Sequence, residues 1–512
     1  MEYLHLFKTK TEHDSFYGGN KYKEPWLAYI RDNTLVTSNR SYEYYRNEYL
    51  TLSALEDGTI TITIPSQVNA TYATSLSYSK DKSNWVETIV DDTYQTITIP
   101  VSGGENVYLK GKAKQLGKDV YSGSGIKCSC NAIAKGNIMS LLYGDDFKYE
   151  TTFPTGSQYT FSNLFYGNRG LKSAENLILP ATTLVTGCYS GLFSNCSALV
   201  DSPTLPATVL TDYCYRSMFG FCSALTQAPK LPAMKLAVRC YNYMFEGCTS
   251  LTTPPELPAT TLVSFCYFHM FNGCSSLKTA PALPAKIAPS QCYRSMFEGC
   301  TSLITPPELP AKTIGTYCYQ DMFRDCSSLT TAPELPATTL AYECYDSMFY
   351  NCTSLETAPE LPATTLATYC YTYMLGGCSS LVTAPSLPAT TLTPNCYRGM
   401  FAGCKSLKTA PALNATTLAG YCYQDMFRNC TALETAPALP ATTLASSCYY
   451  QMFLNCNKLN SITMLATDIS ATDCMKNWVN GVASTGTFTK AATATLPTGS
   501  SGIPSGWTVK NK

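Results

Sequence analysis

One cysteine recurs every 26 residues from Cys188 to Cys474, without an insertion or a deletion. The unit that begins at Cys344 reads Cys-Tyr-Asp-Ser-Met-Phe-Tyr-Asn-Cys-Thr-Ser-Leu-Glu-Thr-Ala-Pro-Glu-Leu-Pro-Ala-Thr-Thr-Leu. Eleven full units occupy residues 188–473, and a twelfth begins at Cys474 and then departs from the pattern. A fixed period of this length indicates one coil per repeat, each coil burying its apolar side against the next. The chain is therefore predicted to form a repeat solenoid.

The recurring positions predict what each coil contains. Leu355 and Leu361 recur in nearly every unit and supply large apolar groups for a continuous core. The recurring prolines, such as Pro359, lack an N–H group and limit any ladder in their segment to two or three residues. We predict one short strand per coil over residues 355–361. The apolar spacing over residues 345–352 predicts a short helical or 3₁₀ turn on the opposite side.

The repeat blocks resemble a known family. They read Met-Phe-x-x-Cys-x-Ser-Leu and Leu-Pro-Ala-Thr-Thr-Leu, and the segments 136–146 and 501–507 flank the array. Together they resemble the BspA-like leucine-rich repeats of gut Bacteroidales and of their crAss-like phages. The resemblance covers residues 128–512 and implies a leucine-rich-repeat solenoid. It is specific for the fold and says little about the function.

The remainder of the chain divides into an N-terminal domain and the ends of the solenoid. Residues 49–117 contain strictly alternating runs, such as Thr-Ile-Thr-Ile-Thr-Ile over residues 59–64, and predict a small antiparallel β-sandwich of immunoglobulin-like size. Residues 1–48 are polar and aromatic, and predict either a docking segment that folds against a neighbouring protein or a flexible arm. Residues 118–187 and 474–512 are predicted to be the N-terminal and C-terminal caps of the solenoid.

The composition disfavours several classes of partner. Only 14% of the residues are charged, and 36 basic residues balance 36 acidic ones, so no nucleic-acid surface is expected. No apolar run is long enough to cross a bilayer, which predicts no membrane insertion. Residues 1–10 lack the apolar core of an export signal, and no cysteine precedes Cys128. On this basis we expect release by lysis, and a virion location ahead of a bacterial surface.

The 25 cysteines are mostly arranged as pairs eight residues apart, one pair in each full unit. Metal sites need ligands two to four residues apart, and the chain has only three histidines, so neither a metal nor another cofactor is expected. Free cysteine commonly acts as a small buried apolar residue, and this interpretation is favoured. A disulfide within a coil, between Cys344 and Cys352 for example, stays open as an alternative.

The sequence gives little support for catalysis. His5, His13 and His269 have no recurring Ser or Cys nucleophile as a partner. A row of glutamates occupies one position of successive coils, in the order Glu308, Glu334 and Glu360. Their expected spacing, about 5 Å, approaches that of a retaining glycosidase pair. A solvated strand face is nevertheless the favoured interpretation, and the protein is predicted not to be an enzyme.

Ligand binding is assigned to positions that vary between coils. Two of them follow each Cys-Tyr pair, and two precede the second cysteine. Aromatic rings beside amides and carboxylates suit stacking and hydrogen bonding to sugars or to a protein. A ridge with no ligand stays open as an alternative. The predicted ligand-binding residues are Tyr243, Phe268, His269, Asp321, Tyr350, Tyr373 and Tyr450, with Glu308, Glu334 and Glu360.

These observations lead to a functional expectation. We predict a virion surface protein, similar to a tail fibre, that attaches a phage to a host glycan or surface protein through the repeats. The N-terminal region would contact other virion proteins. The alternatives are a bacterial cell-surface adhesin of the same repeat family and a capsid decoration protein without a ligand.

Overall fold

A computed structural model of the chain describes residues 26–31, 34–39, 44–64, 73–89, 95–113, 116 and 125–512. Residues 1–25, with His5 and His13, lie outside the described residues, as does part of the predicted arm up to residue 43. Within the arm, strands β1 (Trp26–Arg31) and β2 (Thr34–Asn39) pair as an antiparallel hairpin.

The N-terminal region contains two sheets, which are antiparallel except where the last strand pairs with two short strands from the start of the repeats. The alternating runs form β4 and β7, in which Ile60 opposes Ile99, and both of these side chains are buried. One sheet has the order β7-β4-β9, and the other has the order β11-β10-β3-β8-β5-β6, with β12 also paired to β10. The strands are β3 (Leu50–Ala54), β4 (Gly58–Ile64), β5 (Ala73–Ser79), β6 (Val86–Ile89), β7 (Gln95–Val101), β8 (Asn106–Ala113), β9 (Gly125–Cys128), β10 (Ala132–Asn137), β11 (Leu171–Ser173) and β12 (Leu177–Ile178). An immunoglobulin-like sandwich stays a prediction.

Strand β10 connects these sheets to the solenoid. It pairs antiparallel with β3 and parallel with β11 and β12, which lie in the first coil-like turn of the chain. A short helix α1 (Ser140–Tyr143) and a 3₁₀ helix (Gly144–Tyr149) follow it and pack against β8. The backbone ladder therefore runs without interruption from the N-terminal sheets into the repeats.

Isolated parallel bridges join many of the successive coils, at two positions that are usually threonine. Thr357 bridges to the equivalent threonines of both neighbouring coils, and Thr365 bridges to Thr339. The predicted strand over residues 355–361 is wrong in extent, because only Thr357 pairs. The prolines that follow have no N–H group to extend the ladder. Longer pairing is confined to β13 (Ile287–Ala288) with β14 (Thr313–Ile314), and to β15 (Ser461–Met464), β16 (Thr487–Lys490) and β17 (Thr508–Asn511) near the C-terminus.

The segment around the two cysteines of each coil is a chain of tight turns. Alternate N–H groups donate to the next coil, and the intervening ones donate to the carbonyl three residues back, as Tyr350 does to Ser347. The bonds to the next coil join Tyr345 to Cys370 (3.1 Å), Ser347 to Thr372 (2.8 Å), Phe349 to Met374 (2.9 Å) and Asn351 to Gly376 (2.7 Å). We call residues 343–352 and their equivalents the turn segment.

The turn segment is not the helical or 3₁₀ turn predicted from its apolar spacing. Every fourth residue has a left-handed conformation, with φ of 52° at Glu343, 53° at Ser347 and 60° at Asn351. A right-handed helix requires negative φ at consecutive residues, so these positions prevent one. The same residues turn alternate N–H groups outward to the neighbouring coil, which a helix would keep within itself.

Asn455 tests the left-handed positions. It is exposed, with φ of 61°, and its amide donates to the Asn429 amide oxygen at 3.0 Å. Asn455→Val is expected to be about 1–2 kcal/mol less stable than Asn455→Gly in urea denaturation, because a β-branched residue is strained at this φ. Both variants lose the amide bond, so their difference isolates the backbone. Equal stability of the two variants would contradict the assigned conformation.

Parallel rows of side chains fill the solenoid. The tyrosine row stacks with ring centroids 5.7 Å apart between Tyr319 and Tyr345, and the phenylalanine row with centroids 5.5 Å apart between Phe323 and Phe349. The methionine and leucine rows, such as Leu355, are also buried. Each coil therefore covers the apolar face of the one before it, as the period predicts.

The cysteines form two further buried rows, and all 25 are free thiols. Each thiol of the second row lies near the carbonyl of the preceding coil's residue at the phenylalanine position. The distance is 3.0 Å from Cys352 Sγ to Phe323 O. Burial raises the pKa of these thiols, to about 12 at Cys196 and Cys378. The rows therefore act as small core residues that also supply a weak hydrogen-bond donor.

The first and last turn segments each lack a neighbouring coil on one side, and they present different backbone groups there. The inter-coil N–H groups of the turn segments point toward the C-terminus, so the first turn segment presents carbonyls and the last presents N–H groups. At the first, the N–H of Ile126 donates to Leu164 O at 2.7 Å. At the last, the N–H groups of Asn477 and Val479 donate to Ser501 Oγ (3.0 Å) and Ser500 O (3.2 Å).

Candidate functional site

The side chains that face outward from the turn segments form one continuous surface. They occupy the third, fourth, seventh and eighth positions of each coil, counted from its first cysteine. The intervening Tyr, Met and Phe residues are buried, whereas most of these side chains are partly exposed. We call this surface the turn face. It carries seven predicted ligand-binding residues, namely Tyr243, Phe268, His269, Asp321, Tyr350, Tyr373 and Tyr450.

Three predicted residues meet in an aromatic cluster on the turn face. The ring centroids are 5.0 Å apart for Tyr243 and His269, 4.2 Å for Phe268 and His269, and 5.4 Å for Tyr243 and Phe268. Two arginines flank the cluster, with the Arg216 guanidinium 5.7 Å from the Tyr243 ring and that of Arg294 5.7 Å from the Phe268 ring. The cluster thus offers ring faces and cations for contact with a partner.

The surroundings of His269 determine both the charge and the orientation of its imidazole ring. Burial and the Arg294 guanidinium lower the pKa of its imidazole to about 4, so the ring is neutral at pH 7. Its Nδ1 atom lies 3.2 Å from the side-chain amide of Asn272, which donates to Glu298 at 3.0 Å. This polar chain holds the ring in place and contains no hydroxyl or thiol that the imidazole would activate.

Glu246 beside this cluster gives a prediction about pH. Burial raises the pKa of its carboxyl from 4.5 to about 7, against the opposing effect of Arg216. The wild type is therefore expected to gain stability from this group as the pH falls from 7 to 4.5. Above pH 7 the folded chain holds a poorly solvated charge, so Glu246→Gln should raise the melting temperature at pH 8. Below about pH 4.5 the group is neutral in both states and the variant should have little effect.

Calorimetry at pH 8 and pH 4.5 checks this expectation. Glu256→Gln is the matched control, since Glu256 is exposed in the neighbouring part of the array and loses the same charge. A gain for Glu246→Gln that is equal at both pH values would contradict burial of the charge as its cause.

A second group of predicted residues borders a polar groove. Asp321 pairs with Arg324 at 3.2 Å, and the Arg324 guanidinium lies 4.9 Å from the Tyr350 ring. The Tyr350 and Tyr373 rings meet edge to face, with centroids 6.2 Å apart. The groove has a volume of about 660 Å³. Its lining residues are Arg324, Ser347, Tyr350, Asn351, Thr353, Tyr373, Gly377, Ser379, Ala402, Gly403, Lys405, Arg428 and Asn429.

The remaining predicted residues lie apart from these two groups. Tyr450 lies in the last full repeat, with the Lys476 ammonium 6.0 Å from its ring. Residues 358–362 and their equivalents form the proline-rich segment of each coil, and Glu308, Glu334 and Glu360 are exposed on it, outside the turn face. In the part of the chain that the structure describes, no hydrogen bond or ion pair joins them to the aromatic residues. A parallel bridge between Thr331 and Thr357 joins the coils of Glu334 and Glu360.

The prediction omitted the arginines that accompany the aromatic rings. Each of them faces a ring one coil away, as Arg216 faces Tyr243 and Arg398 faces Tyr373, the latter at 5.9 Å. A signal was present in the sequence, because these arginines lie within about one period of an aromatic residue on the turn face.

Over the described ranges, no group of three or more His, Cys, Asp or Glu side chains is placed to hold a metal ion. No helix among the described residues is long and apolar enough to cross a membrane.

Comparison with known proteins gives a family. The family model described as BspA type Leucine rich repeat region (6 copies) matches residues 145–278, 238–382, 291–434 and 391–473. These matches overlap and together span residues 145–473, which is more than half of the chain. Neither the curated proteins nor the solved structures give a match.

Proposed function

The chain belongs to the BspA-type leucine-rich-repeat family, and from that premise we propose that it is a non-enzymatic attachment protein that binds a glycan or protein through its turn face. Repeats of this type are typical of surface or extracellular proteins, so the partner is expected outside the cell. Solenoids of this kind present extended, rigid binding surfaces.

One observation carries the proposal: aromatic rings and arginines lie together on the turn face. The cluster of Tyr243, Phe268 and His269 has arginines on both sides, and Tyr350 has Arg324 above its ring. Tyrosine and arginine are the residues most enriched where binding energy concentrates. These tyrosine and arginine side chains already contact side chains of the adjacent coil. Little side-chain conformational entropy would therefore be lost on binding.

We propose further that the carrier is a phage particle and that the N-terminal region contacts other virion proteins. What supports this is the resemblance of the repeats and of the segments 136–146 and 501–507 to the BspA-like proteins of gut Bacteroidales and of their phages. A bacterial cell-surface adhesin is the second candidate. The family match favours it, because repeats of this type are typical of surface or extracellular proteins.

Immunogold labelling tests the carrier. Antibody raised to residues 188–473 would be applied to purified phage particles and, in parallel, to uninfected gut Bacteroidales cells. Gold on the particles is expected, at the tail for host attachment. Gold on the capsid would favour a decoration role, and gold on uninfected cells alone would replace the phage proposal with the adhesin.

Binding of the labelled full chain to host cells tests the attachment role itself. A variant with Tyr243→Ala and Phe268→Ala is expected to bind host cells at least tenfold more weakly, since two anchoring rings are lost. The control variant Val200→Ala changes an exposed apolar residue outside the turn face. Failure of the wild type to bind any host cell would refute the attachment role.

A further inference from the structure

The polar groove beside Tyr350 has a composition that indicates its ligand. Three cationic residues line it, namely Arg324, Lys405 and Arg428, and no carboxylate does. The other lining groups are hydroxyls, amides and two tyrosine rings, over a floor that includes Gly377 and Gly403. We propose that this groove binds an acidic oligosaccharide, whose carboxylate or sulfate groups contact the cations. This inference deepens the proposed function and rests on it.

Both arginines of the groove have carboxylate partners, and these partners differ in their exposure to solvent. The Arg428 side chain is 44% exposed, whereas that of its partner Asp425, 3.6 Å away, is 5% exposed. Arg324 is likewise 38% exposed, and its nearest partner Asp321 is 15% exposed. A second partner of Arg324, Asp325, lies 3.6 Å away and is 46% exposed, so the positive charge that faces solvent in the groove comes mainly from Arg428 and Lys405. Lys405 has no ion-pair partner among the described residues.

The tyrosine rings are held in place by glycines of the next coil. A Cβ atom at Gly399 would lie 2.1 Å from the Tyr373 ring, and one at Gly376 would lie 3.0 Å from the Tyr350 ring. Each ring thus rests on backbone where any larger residue would displace it. The Tyr373 hydroxyl also lies 3.5 Å from Asp425 Oδ2. Fixed ring faces beside hydrogen-bonding groups suit the mixed polar and C–H surface of a sugar.

The dimensions of the groove favour an extended ligand. Its lining residues come from five successive coils, from Arg324 to Asn429. Four coil spacings correspond to about 19 Å along the solenoid, which suits a chain of several sugar residues better than a single ion. The volume of about 660 Å³ lies within the range of about 300–1,000 Å³ usual for ligand sites.

An acidic peptide is the competing ligand, and the groove itself disfavours it. The edges near the ligand are side chains, whereas extended peptides are usually held by the main-chain groups of an unpaired strand edge. In the turn segments that flank the groove, alternate N–H groups already donate to the next coil. A peptide would therefore find little main-chain pairing here.

Calorimetric titration of the full chain tests the proposal. The probes are tetragalacturonate, a heparin-derived tetrasaccharide, maltotetraose and hexaglutamate. At least one acidic sugar is expected to bind, more weakly at high salt, and maltotetraose and hexaglutamate are expected to bind at least tenfold more weakly. Binding of tetragalacturonate would assign the anion to carboxylate, and binding of only the heparin fragment would assign it to sulfate.

The variants are matched in charge. Arg428→Gln is expected to weaken binding at least tenfold, or about 1.4 kcal/mol, whereas Lys230→Gln, an exposed residue on the proline-rich segment of the second coil, should leave it unchanged. Gly399→Ala should weaken binding by displacing Tyr373, with the melting temperature measured in parallel. Tighter binding of hexaglutamate, no binding of either acidic sugar, or equal effects of Arg428→Gln and Lys230→Gln would overturn the proposal.

This result is separable from that of the attachment proposal. If the chain labels host cells but binds neither acidic sugar, the groove assignment fails and attachment stands. If it binds an acidic sugar but labels no host cell, the attachment role fails and the groove assignment stands.

Discussion

Phe323→Ala is expected to lower the free energy of unfolding by about 3–5 kcal/mol. Phe323 is fully buried and stacks between Phe297 and Phe349, with ring centroids 5.7 and 5.5 Å away. Its coil is supported only by the coils on either side, so a cavity at this position weakens two interfaces at once. Urea denaturation of the full chain, followed by circular dichroism, measures the loss.

The chain supplies its own control for this variant. Leu375 occupies the phenylalanine position in the coil that begins at Cys370, and it too is fully buried. Phe323→Leu is therefore expected to cost only about 1–2 kcal/mol. Equal losses for the Ala and Leu variants would show that ring stacking and volume at this row do not control stability. Hydrogen exchange should show the Ala variant opening first near residues 297–349.

The thiols are expected to be almost unreactive in the folded chain and fully reactive in the unfolded one. All 25 cysteines are free and buried, and a disulfide reagent attacks through the thiolate. At Cys196, burial raises the pKa of the thiol from 9.0 to about 12, which alone lowers the thiolate fraction about a thousandfold at neutral pH. Titration with a chromogenic disulfide should therefore detect almost no thiols in the folded chain. In denaturant without reductant it should give a count near 25, because all the cysteines are free.

A reduced and denatured sample supplies the full count for comparison. Cys128 and Cys474 have the most exposed cysteine side chains, at 8% and 5%, and should be the first to react on partial unfolding. A count of only two or three thiols in denaturant without reductant would instead establish disulfides within the coils. That result would contradict the role of the second cysteine row as donor to the preceding coil.

Which residues form the core could be predicted, because the 26-residue period places each residue type in one row along the solenoid. The burial of Tyr345, Phe349 and Leu355 follows from their recurrence, and the structure agrees. The left-handed residues could not be predicted from Glu343 or Ser347, since neither residue type signals a positive φ. Coils with glycine at the fourth or the eighth position, such as Gly399 with φ of 60° and Gly377 with φ of 76°, do show it in the sequence.

The candidate site was predictable in part. Tyr243, Phe268 and His269 were selected as variable, outward-facing positions, and the coil register then brings them into contact. The pairing of Arg324 with both Asp321 and Tyr350 depends on how far a long side chain reaches across one coil spacing. Periodicity fixes the positions of Cα atoms in a row, but it does not fix the direction of flexible side chains.

The inter-coil backbone hydrogen bonds of the turn segments all point in the same direction, so the two ends of the solenoid are chemically different. Every turn segment offers donors at its C-terminal side and acceptors at its N-terminal side. Two arrays could therefore join head to tail but not head to head, and the two caps cannot be exchanged. A gene can lengthen or shorten the array only by whole 26-residue units in one orientation. Each such unit would change the reach of the protein by about 5 Å, with its backbone bonding left intact.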